Sequence, residues 1–487
     1  MKRRSFVKKT GALLAVSPVL ASTVLSCKKT TVEPQTAASN GSPHIPPKNY
    51  IPPSAYSPAN PGIRTLAPGE GTNIPVLANT HILNGYADKQ SYLPGSDCIL
   101  YLSVDASYSD QKISVYDLNH NLAFSIPITN IGPQQMQTDM PYQNGYGYTA
   151  TVTMIVPNVP SGVYMIANSI PLIINSNTTD VDFTIVYPTN TENAYCLSGG
   201  KDFYGNAAQI ISFLRPIGLS PYAPGIFRWL LKQSYTYNVI SDADMDTMSN
   251  IKGKLLIIAG HSEYWTRTAR QNFDTHVNSG NPALVLSGNS MYWHVKYNET
   301  GDQLICYKDQ TKDPEPAPVN KTTYWYLPSQ QYPPMQSIGV DGSLGGYGIQ
   351  SAKSFQGIKI ADPTMQLFNG LNLKRGDVIP CSSHELDAGP IAGYDSDGFP
   401  ILDNSNLGFY QYHLIGYDNA LDYFTPNKFN TATAVMFRRT QTSGAVINMA
   451  TTNWCTIPYF VDPKQNKFIP TITKNAIDGL LNDQFMV

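Results

Sequence analysis

Two short runs set the strongest limit on what this chain can fold into. Lys254-Leu-Leu-Ile-Ile-Ala259 and Pro282-Ala-Leu-Val-Leu-Ser287 are apolar almost without interruption. A strand with one wet face alternates, whereas a run this continuous is a strand covered on both faces. Between them, Thr266 to Val277 has helical spacing, a polar start and Gly280 beyond its end. Strand, helix, strand at this distance predicts a parallel βαβ unit and hence an α/β domain with an open, mostly parallel sheet. Pro224-Gly-Ile-Phe-Arg-Trp-Leu-Leu-Lys232 reads as another helix and Tyr237-Asn-Val-Ile240 as a short strand. All five tryptophans (Trp229, Trp265, Trp293, Trp325, Trp454) lie in this half, as a pocketed domain or a large aromatic core would require.

Upstream the pattern changes. Cys98-Ile-Leu-Tyr-Leu-Ser-Val104, Lys112-Ile-Ser-Val-Tyr116, Gly147 to Val156 and Val181-Asp-Phe-Thr-Ile-Val-Tyr187 alternate apolar and polar, with turn residues between them. Period-two runs at this spacing predict an immunoglobulin-like β-sandwich over 79–188, followed by the α/β domain over 189–487. The sandwich carries no catalytic constellation; a scaffold and a glycan-binding module are its two readings. Residues 1–27 read as an export signal: basic Met1-Lys-Arg-Arg-Ser-Phe-Val-Lys-Lys9, apolar Ala12 to Leu25, then Ser26-Cys27. Arg3-Arg4-Ser-Phe6-Val-Lys8 resembles the twin-arginine motif and Val24-Leu-Ser-Cys27 a lipobox, which makes Cys27 a candidate lipidation site and the product a membrane-anchored, periplasmic or cell-surface lipoprotein. The run is too short for an ordinary membrane-spanning helix. Residues 28–78, rich in Thr, Pro, Ala, Ser and Asn, read as a disordered tether.

Charge excludes one class of partner. With 33 Lys and Arg against 35 Asp and Glu, the chain has no electrostatic footprint for nucleic acid. The cysteines after Cys27 (Cys98, Cys196, Cys306, Cys381, Cys455) are odd in number and form no C-x-x-C pair. Neither a zinc knuckle nor a full disulfide framework follows; buried thiols are expected, with one disulfide open.

Ligands of open parallel sheets bind beyond the carboxyl ends of the strands. The first covered strand runs directly into Gly260-His261-Ser262-Glu263-Tyr264-Trp265, and the second into Ser287-Gly288-Asn289-Ser290-Met-Tyr292-Trp293-His294. A histidine, a carboxylate and phenols are thus projected beside one another. The structural alternative is that His261 and Glu263 cap the next helix or satisfy buried backbone groups. A cysteine nucleophile is missing from the likely strand-to-helix elbow, Leu286-Ser-Gly-Asn-Ser290, and Cys306 lies elsewhere. Ser287 or Ser290 with His261 would make a serine hydrolase, but no G-x-S-x-G elbow occurs. Gly342-Ser-Leu-Gly-Gly-Tyr-Gly348 lacks the strand and helix that a nucleotide loop needs.

These two loops, with Asn193-Ala-Tyr-Cys-Leu-Ser-Gly-Gly-Lys-Asp-Phe-Tyr204, Ser212-Phe-Leu-Arg-Pro216, Val239-Ile-Ser-Asp-Ala-Asp244, Cys306-Tyr-Lys308 and Ile472-Thr-Lys-Asn475, resemble the N,N-dimethylformamidase large (beta) subunit-like family over about 190–487. A preceding sandwich with a Ser161-Gly-Val-Tyr164-like element also recurs in such proteins. The resemblance implies a glutamine-amidotransferase-like α/β domain and a mononuclear iron held by two tyrosines and one glutamate. Carried over by motif, Glu263 is the carboxylate ligand, Tyr195 and Tyr204 are the phenol candidates, His261 assists hydrolysis, and Glu385 in Ser383-His-Glu-Leu-Asp387 is the second glutamate. Tyr222 is an outside candidate, and His384 reads as structural. The chain departs from the family pattern at Cys196-Leu-Ser and Ser262, and the characterised amidase also uses a small partner subunit.

The chemistry is coherent in itself. Phenolate and carboxylate oxygens suit a hard trivalent cation, and a phenol of ordinary pKa about 10 needs such a charge to ionise at neutral pH. A bound ion would polarise an amide carbonyl or acidify water, while a histidine and a second carboxyl would move protons. The expected function is an exported, lipid-anchored metallohydrolase of amide-type C–N bonds in a small-molecule substrate. The alternative is a non-catalytic surface lipoprotein that binds glycan or protein. Convergence of Glu263 with two phenol oxygens separates the two.

Overall fold

The computed structural model describes residues 82–484 apart from 105–111, 130, 168–169, 205–206, 349–354, 384, 426 and 462–466. The expected signal with Cys27, the tether at 28–78 and His384 fall outside the described residues.

Seven strands come first: β1 (Ile82–Ala87), β2 (Asp97–Val104), β3 (Lys112–Asp117), β4 (Leu122–Pro127), β5 (Val152–Ile155), β6 (Gly162–Ile166) and β7 (Ile170–Ile174). They form two antiparallel sheets, ordered β1-β2-β5 and β4-β3-β6-β7. Alternation works as expected on β2, whose Cys98, Leu100 and Leu102 point inward against Val115, Ile166 and Leu172 of the other sheet. The run from Gly147 pairs as a strand only over β5. Ahead of it the Gln134 side chain occupies the backbone, accepting from Thr149 N at 2.7 Å and donating to Thr149 O at 3.0 Å.

A second group of strands builds a nine-stranded sheet. In chain order these are β8 (Phe183–Tyr187), β9 (Tyr237–Ser241), β10 (Leu255–Gly260), β11 (Ala283–Ser287), β12 (Phe355–Ile360), β13 (Val378–Ser383), β14 (Gln411–Leu421), β15 (Phe429–Arg438) and β16 (Ala445–Asn448). Their spatial order is β9-β8-β10-β11-β16-β15-β14-β12-β13. The first five strands are parallel, as the βαβ reading requires. The remaining pairings are antiparallel, so the sheet is mixed rather than mostly parallel. The reason is connection length: β14 and β15 are joined by a short turn, and a hairpin link can only return antiparallel.

One strand belongs to a different sheet from the one expected. Val181 to Tyr187 looked like the last strand of the sandwich, but β8 pairs with β9 and β10 inside the large sheet. All five of its residues are buried, Thr184 included, its hydroxyl donating to Lys252 O at 2.8 Å. A polar residue satisfied in this way imitates the alternation of a half-exposed strand.

Helices cover both faces of the parallel half. Helix α3 (Arg267–Asn278) follows β10; its N-cap Thr266 accepts from Ala269 N at 3.0 Å. Its Ala269, Phe273 and Val277 lie on Leu256, Ile258 and Val285. On the other face α2 (Pro224–Leu230) and α4 (Phe468–Leu481) bury Ile226, Ile469, Ile472 and Ile477 against Ile257, Leu284 and Ile447. A short helix, α1 (Thr189–Ala194), leaves β8 directly. Sandwich and sheet share this core, because Leu118, Val163, Met165 and Ile173 pack in the same cluster as Phe183 and Tyr187. Among the described residues no helix is long and apolar enough to cross a membrane, and the five described cysteines are free thiols.

Candidate active site

The site forms where β10 and β11 end side by side, Gly260 opposite Ser287. Gly260 turns the chain out of the sheet at φ +77°, and a Cβ there would lie 2.9 Å from the Ala223 Cβ, so only glycine fits. The two loops then zip together. Tyr264–Trp265 pairs parallel to Trp293–His294, and Glu263 O accepts from Tyr292 N and Trp293 N, both at 2.9 Å. Asn289 and Met291 adopt positive φ within this loop.

Glu263 ends up buried at the centre. Tyr195 Oη donates to its Oε2 at 2.7 Å and Tyr204 Oη to its Oε1 at 2.8 Å, and the two phenol oxygens lie 3.3 Å apart. Trp293 Nε1 at 2.9 Å and Asn289 Nδ2 at 3.2 Å also donate to Oε1. Tyr264 Oη donates to Tyr204 Oη at 2.6 Å. The Lys308 ammonium lies 3.1 Å from the centre of the Tyr204 ring and 4.6 Å from that of Trp293.

The phenols are placed by a buried cation. Tyr195 caps α1, and Tyr204 follows the Gly199-Gly200 turn. Between them the Arg215 guanidinium, itself fully buried, donates to Asn193 O and Oδ1 at 2.9 and 2.7 Å and to Lys201 O at 3.0 Å. Five donors on a rigid fork thus fold the whole segment from Asn193 to Lys201 around one side chain.

His261 bridges the centre to the second carboxylate. Its Nε2 is 2.9 Å from Glu385 Oε2 and 3.5 Å from Glu263 Oε2. Burial opposes charge on the imidazole, but Glu385, with Glu263 and Asp387, outweighs it and lifts His261 to about 9. Burial pushes the Glu263 carboxyl up and Glu385 adds to this, while His261 and Lys308 pull it down. Asp387 is pushed up to about 8 by burial, against backbone donors from Ser290 and Asn289. Tyr222 packs edge-on to His261 with ring centres 5.5 Å apart.

Every described residue proposed from the motifs (His261, Glu263, Tyr195, Tyr204, Glu385) therefore meets in one place. Of the rival nucleophiles, Ser287 Oγ accepts from Ser262 N at 3.0 Å and burial pushes the Cys306 thiol up to about 12, while the buried Ser290 Oγ has no base bonded to it among the described residues. Asn289, Trp293, Tyr264, Lys308 and Arg215 are further members of the site that sequence reasoning quoted within motifs without giving them a role. Among the described residues no group of three or more His, Cys, Asp and Glu is disposed to hold a metal. The arrangement here differs, one carboxylate with two phenols, an all-oxygen donor set that suits a hard trivalent ion.

No curated protein matches the chain. A family model described as N,N-dimethylformamidase beta subunit-like, C-terminal, matches residues 133–457, starting within the sandwich rather than near 190. That span covers well over half the sequence and contains each of the converging side chains; the chain belongs to the N,N-dimethylformamidase beta subunit-like family.

Proposed function

We propose that this protein hydrolyses an amide-type C–N bond in a small molecule, with Glu263, Tyr195 and Tyr204 as the residues that would hold an iron ion. The observation that carries the proposal is the approach of two phenol oxygens, 2.7 and 2.8 Å away, to the two oxygens of one buried carboxylate. The family description adds support, since it points to an amide hydrolase. When bound, the ion would supply Lewis acidity toward the amide carbonyl and toward water.

The chain's own groups supply positioning and proton transfer. Trp293 and Asn289 fix the Glu263 carboxylate, so its orientation does not have to be found at each turnover. His261 Nε2 and the Glu385 carboxyl, 2.9 Å apart, form a pair placed to move protons: the Glu385 carboxylate to take one from attacking water, and His261, protonated at neutral pH, to give one to the leaving nitrogen. Aromatic walls from Tyr264, Trp293 and Tyr222 keep bulk water away and strengthen each of these interactions. The parallel half of the sheet, with the site beyond its strand ends, supports a glutamine-amidotransferase-like ancestry without that family's cysteine. Export and lipidation at Cys27 remain part of the proposal and rest on the leader sequence alone.

The test is metal analysis with visible spectroscopy on protein purified from its native host. We expect about one iron per chain and a tyrosinate-to-iron band in the visible. Glu263→Ala should lose both. His261→Ala should keep both, while amide turnover falls by roughly 10²–10⁴. A folded, metal-free protein that does not turn over amides would instead identify a binding lipoprotein.

A further inference from the structure

Glu385 has a cross-strand neighbour that the mechanism does not use. Gly346–Tyr347 pairs antiparallel with the strand Glu385–Ala388, and Tyr347 stands directly opposite Glu385. Opposed residues of an antiparallel pair project to the same face with Cβ atoms about 5 Å apart. Tyr347 and Glu385, whose carboxyl faces His261, therefore project to the same face of this strand pair.

From Tyr347 an aromatic path continues outward. Its ring centre lies 5.4 Å from that of Tyr423, at 89° between planes, and 5.9 Å from that of Phe424. Tyr423 and Phe424 contact each other edge to face at 5.0 Å. Tyr347 is buried, whereas Tyr423 and Phe424 are 40% and 39% exposed. These three rings thus link the position opposite Glu385 to solvent. Tyr423 and Phe424 leave two adjacent aromatic side chains open to water, where a ligand can pack.

The path is held rigidly. Tyr423 N donates to Tyr347 O at 2.9 Å, and Asn430 Nδ2 donates to that same oxygen at 3.0 Å and to Asp422 Oδ2 at 2.8 Å. Asp422 Oδ1 in turn accepts from Phe424 N at 2.8 Å. The backbone that carries the three rings is thus fixed, which lowers the ordering cost when a ligand packs on them.

We propose that Tyr347, Tyr423 and Phe424 form an aromatic approach that selects amides bearing a flat, aryl-type substituent. The inference rests on the amide-hydrolase reading of the same site and narrows its substrate class. Edge-to-face and offset contacts reward a ring over an alkyl group of similar area. An amide carbonyl near Glu385 and His261 would leave a substituent on its nitrogen lying along the three rings. A dialkyl amide as small as N,N-dimethylformamide cannot reach Phe424 from that position.

The test compares formanilide with N,N-dimethylformamide in wild type, Phe424→Ala and a Tyr423→Ala/Phe424→Ala double variant. Ile155→Ala, exposed on the sandwich, serves as the surface control. Both kcat/KM and equilibrium binding of acetanilide, by ligand-observed NMR, are read. We expect wild type to prefer formanilide. In the double variant the formanilide-to-dimethylformamide ratio should fall about tenfold, through KM, and acetanilide binding should weaken in parallel. An unchanged ratio with unchanged acetanilide binding overturns the inference while leaving amide hydrolysis standing. Acetanilide binding that the double variant weakens, in a protein that hydrolyses neither amide, sinks the hydrolase reading and keeps aryl recognition. No acetanilide binding by wild type overturns the inference outright.

Discussion

Glu263 shows how much a single side chain can organise. Its two oxygens accept from two phenols, an indole and an amide, while its backbone N donates to Thr191 Oγ1 at 2.9 Å. Removing one donor should therefore weaken the centre without dismantling it. Asn289→Ala is expected to lower kcat/KM by about tenfold, the worth of one hydrogen bond to a charged acceptor, with the melting temperature little changed. Arg215 is the contrasting case. Arg215→Met would take the side-chain donors from the carbonyls of Ser212 and Lys201 and from Asn193 Oδ1 inside the protein, and should cost roughly 3 kcal/mol or more in urea titration. At this scale the sequence was informative wherever a chemistry-bearing side chain followed a covered strand, as His261 and Glu263 do. Arg215 escaped notice because nothing in its own neighbourhood signals that backbone carbonyls far along the chain turn toward it. Asn289 and Lys308 escaped because they matter through contacts with Glu263 and with the Tyr204 and Trp293 rings, which only the fold creates.

Among elements, the pair β10 and β11 sets the precision of the site. Gly288, just past β11, packs so closely that a Cβ would lie 2.6 Å from Thr452 N. Gly288→Ala should destabilise the protein by about 1–3 kcal/mol through overpacking. It should also reduce activity more than its stability loss explains, because Asn289 and Trp293 would shift together; thermal melts beside kinetics at a permissive temperature would separate the two effects. The βαβ unit was legible because strands covered on both faces lose their alternation and helices keep a 3.6-residue period. The long hairpin β14–β15 was not. Its buried positions include Asn430, Thr431 and Thr433, whose polar side chains conceal a covered strand. The same masking, at Thr184, moved β8 from one sheet to the other.

For the molecule as a whole, two histidines away from the Glu263 carboxylate predict how it fails in acid. Burial lowers His276 to about 4 and His294 to about 3; both are nearly inaccessible, and His294 is stacked on Trp325 at 4.1 Å. Their folded-state values lie below the unfolded one of about 6.5, so the unfolded chain takes up protons that the native state refuses. The contribution of these two histidines to stability is complete above pH 6.5 and declines as pH falls toward 4. At pH 5 each histidine should remove about 2 kcal/mol relative to pH 7. Urea titrations of wild type and His276→Gln at the two pH values would read this, the variant losing about 2 kcal/mol less than wild type between pH 7 and 5. The shared core of sandwich and sheet makes a second prediction: calorimetry should give one transition rather than two.

The position of β8 also bears on how the chain is made. It lies between β9 and β10, which leave the ribosome later, so this wholly buried strand does not have neighbours on both edges until Gly260 has been synthesised. Through that interval only the sandwich, complete by Ile174, can shelter it, by way of Val163, Met165 and Ile173. The first-formed layer therefore acts as a built-in nursemaid for the nascent sheet. A translocation route that accepts finished proteins would spare this strand from being threaded across a membrane bare.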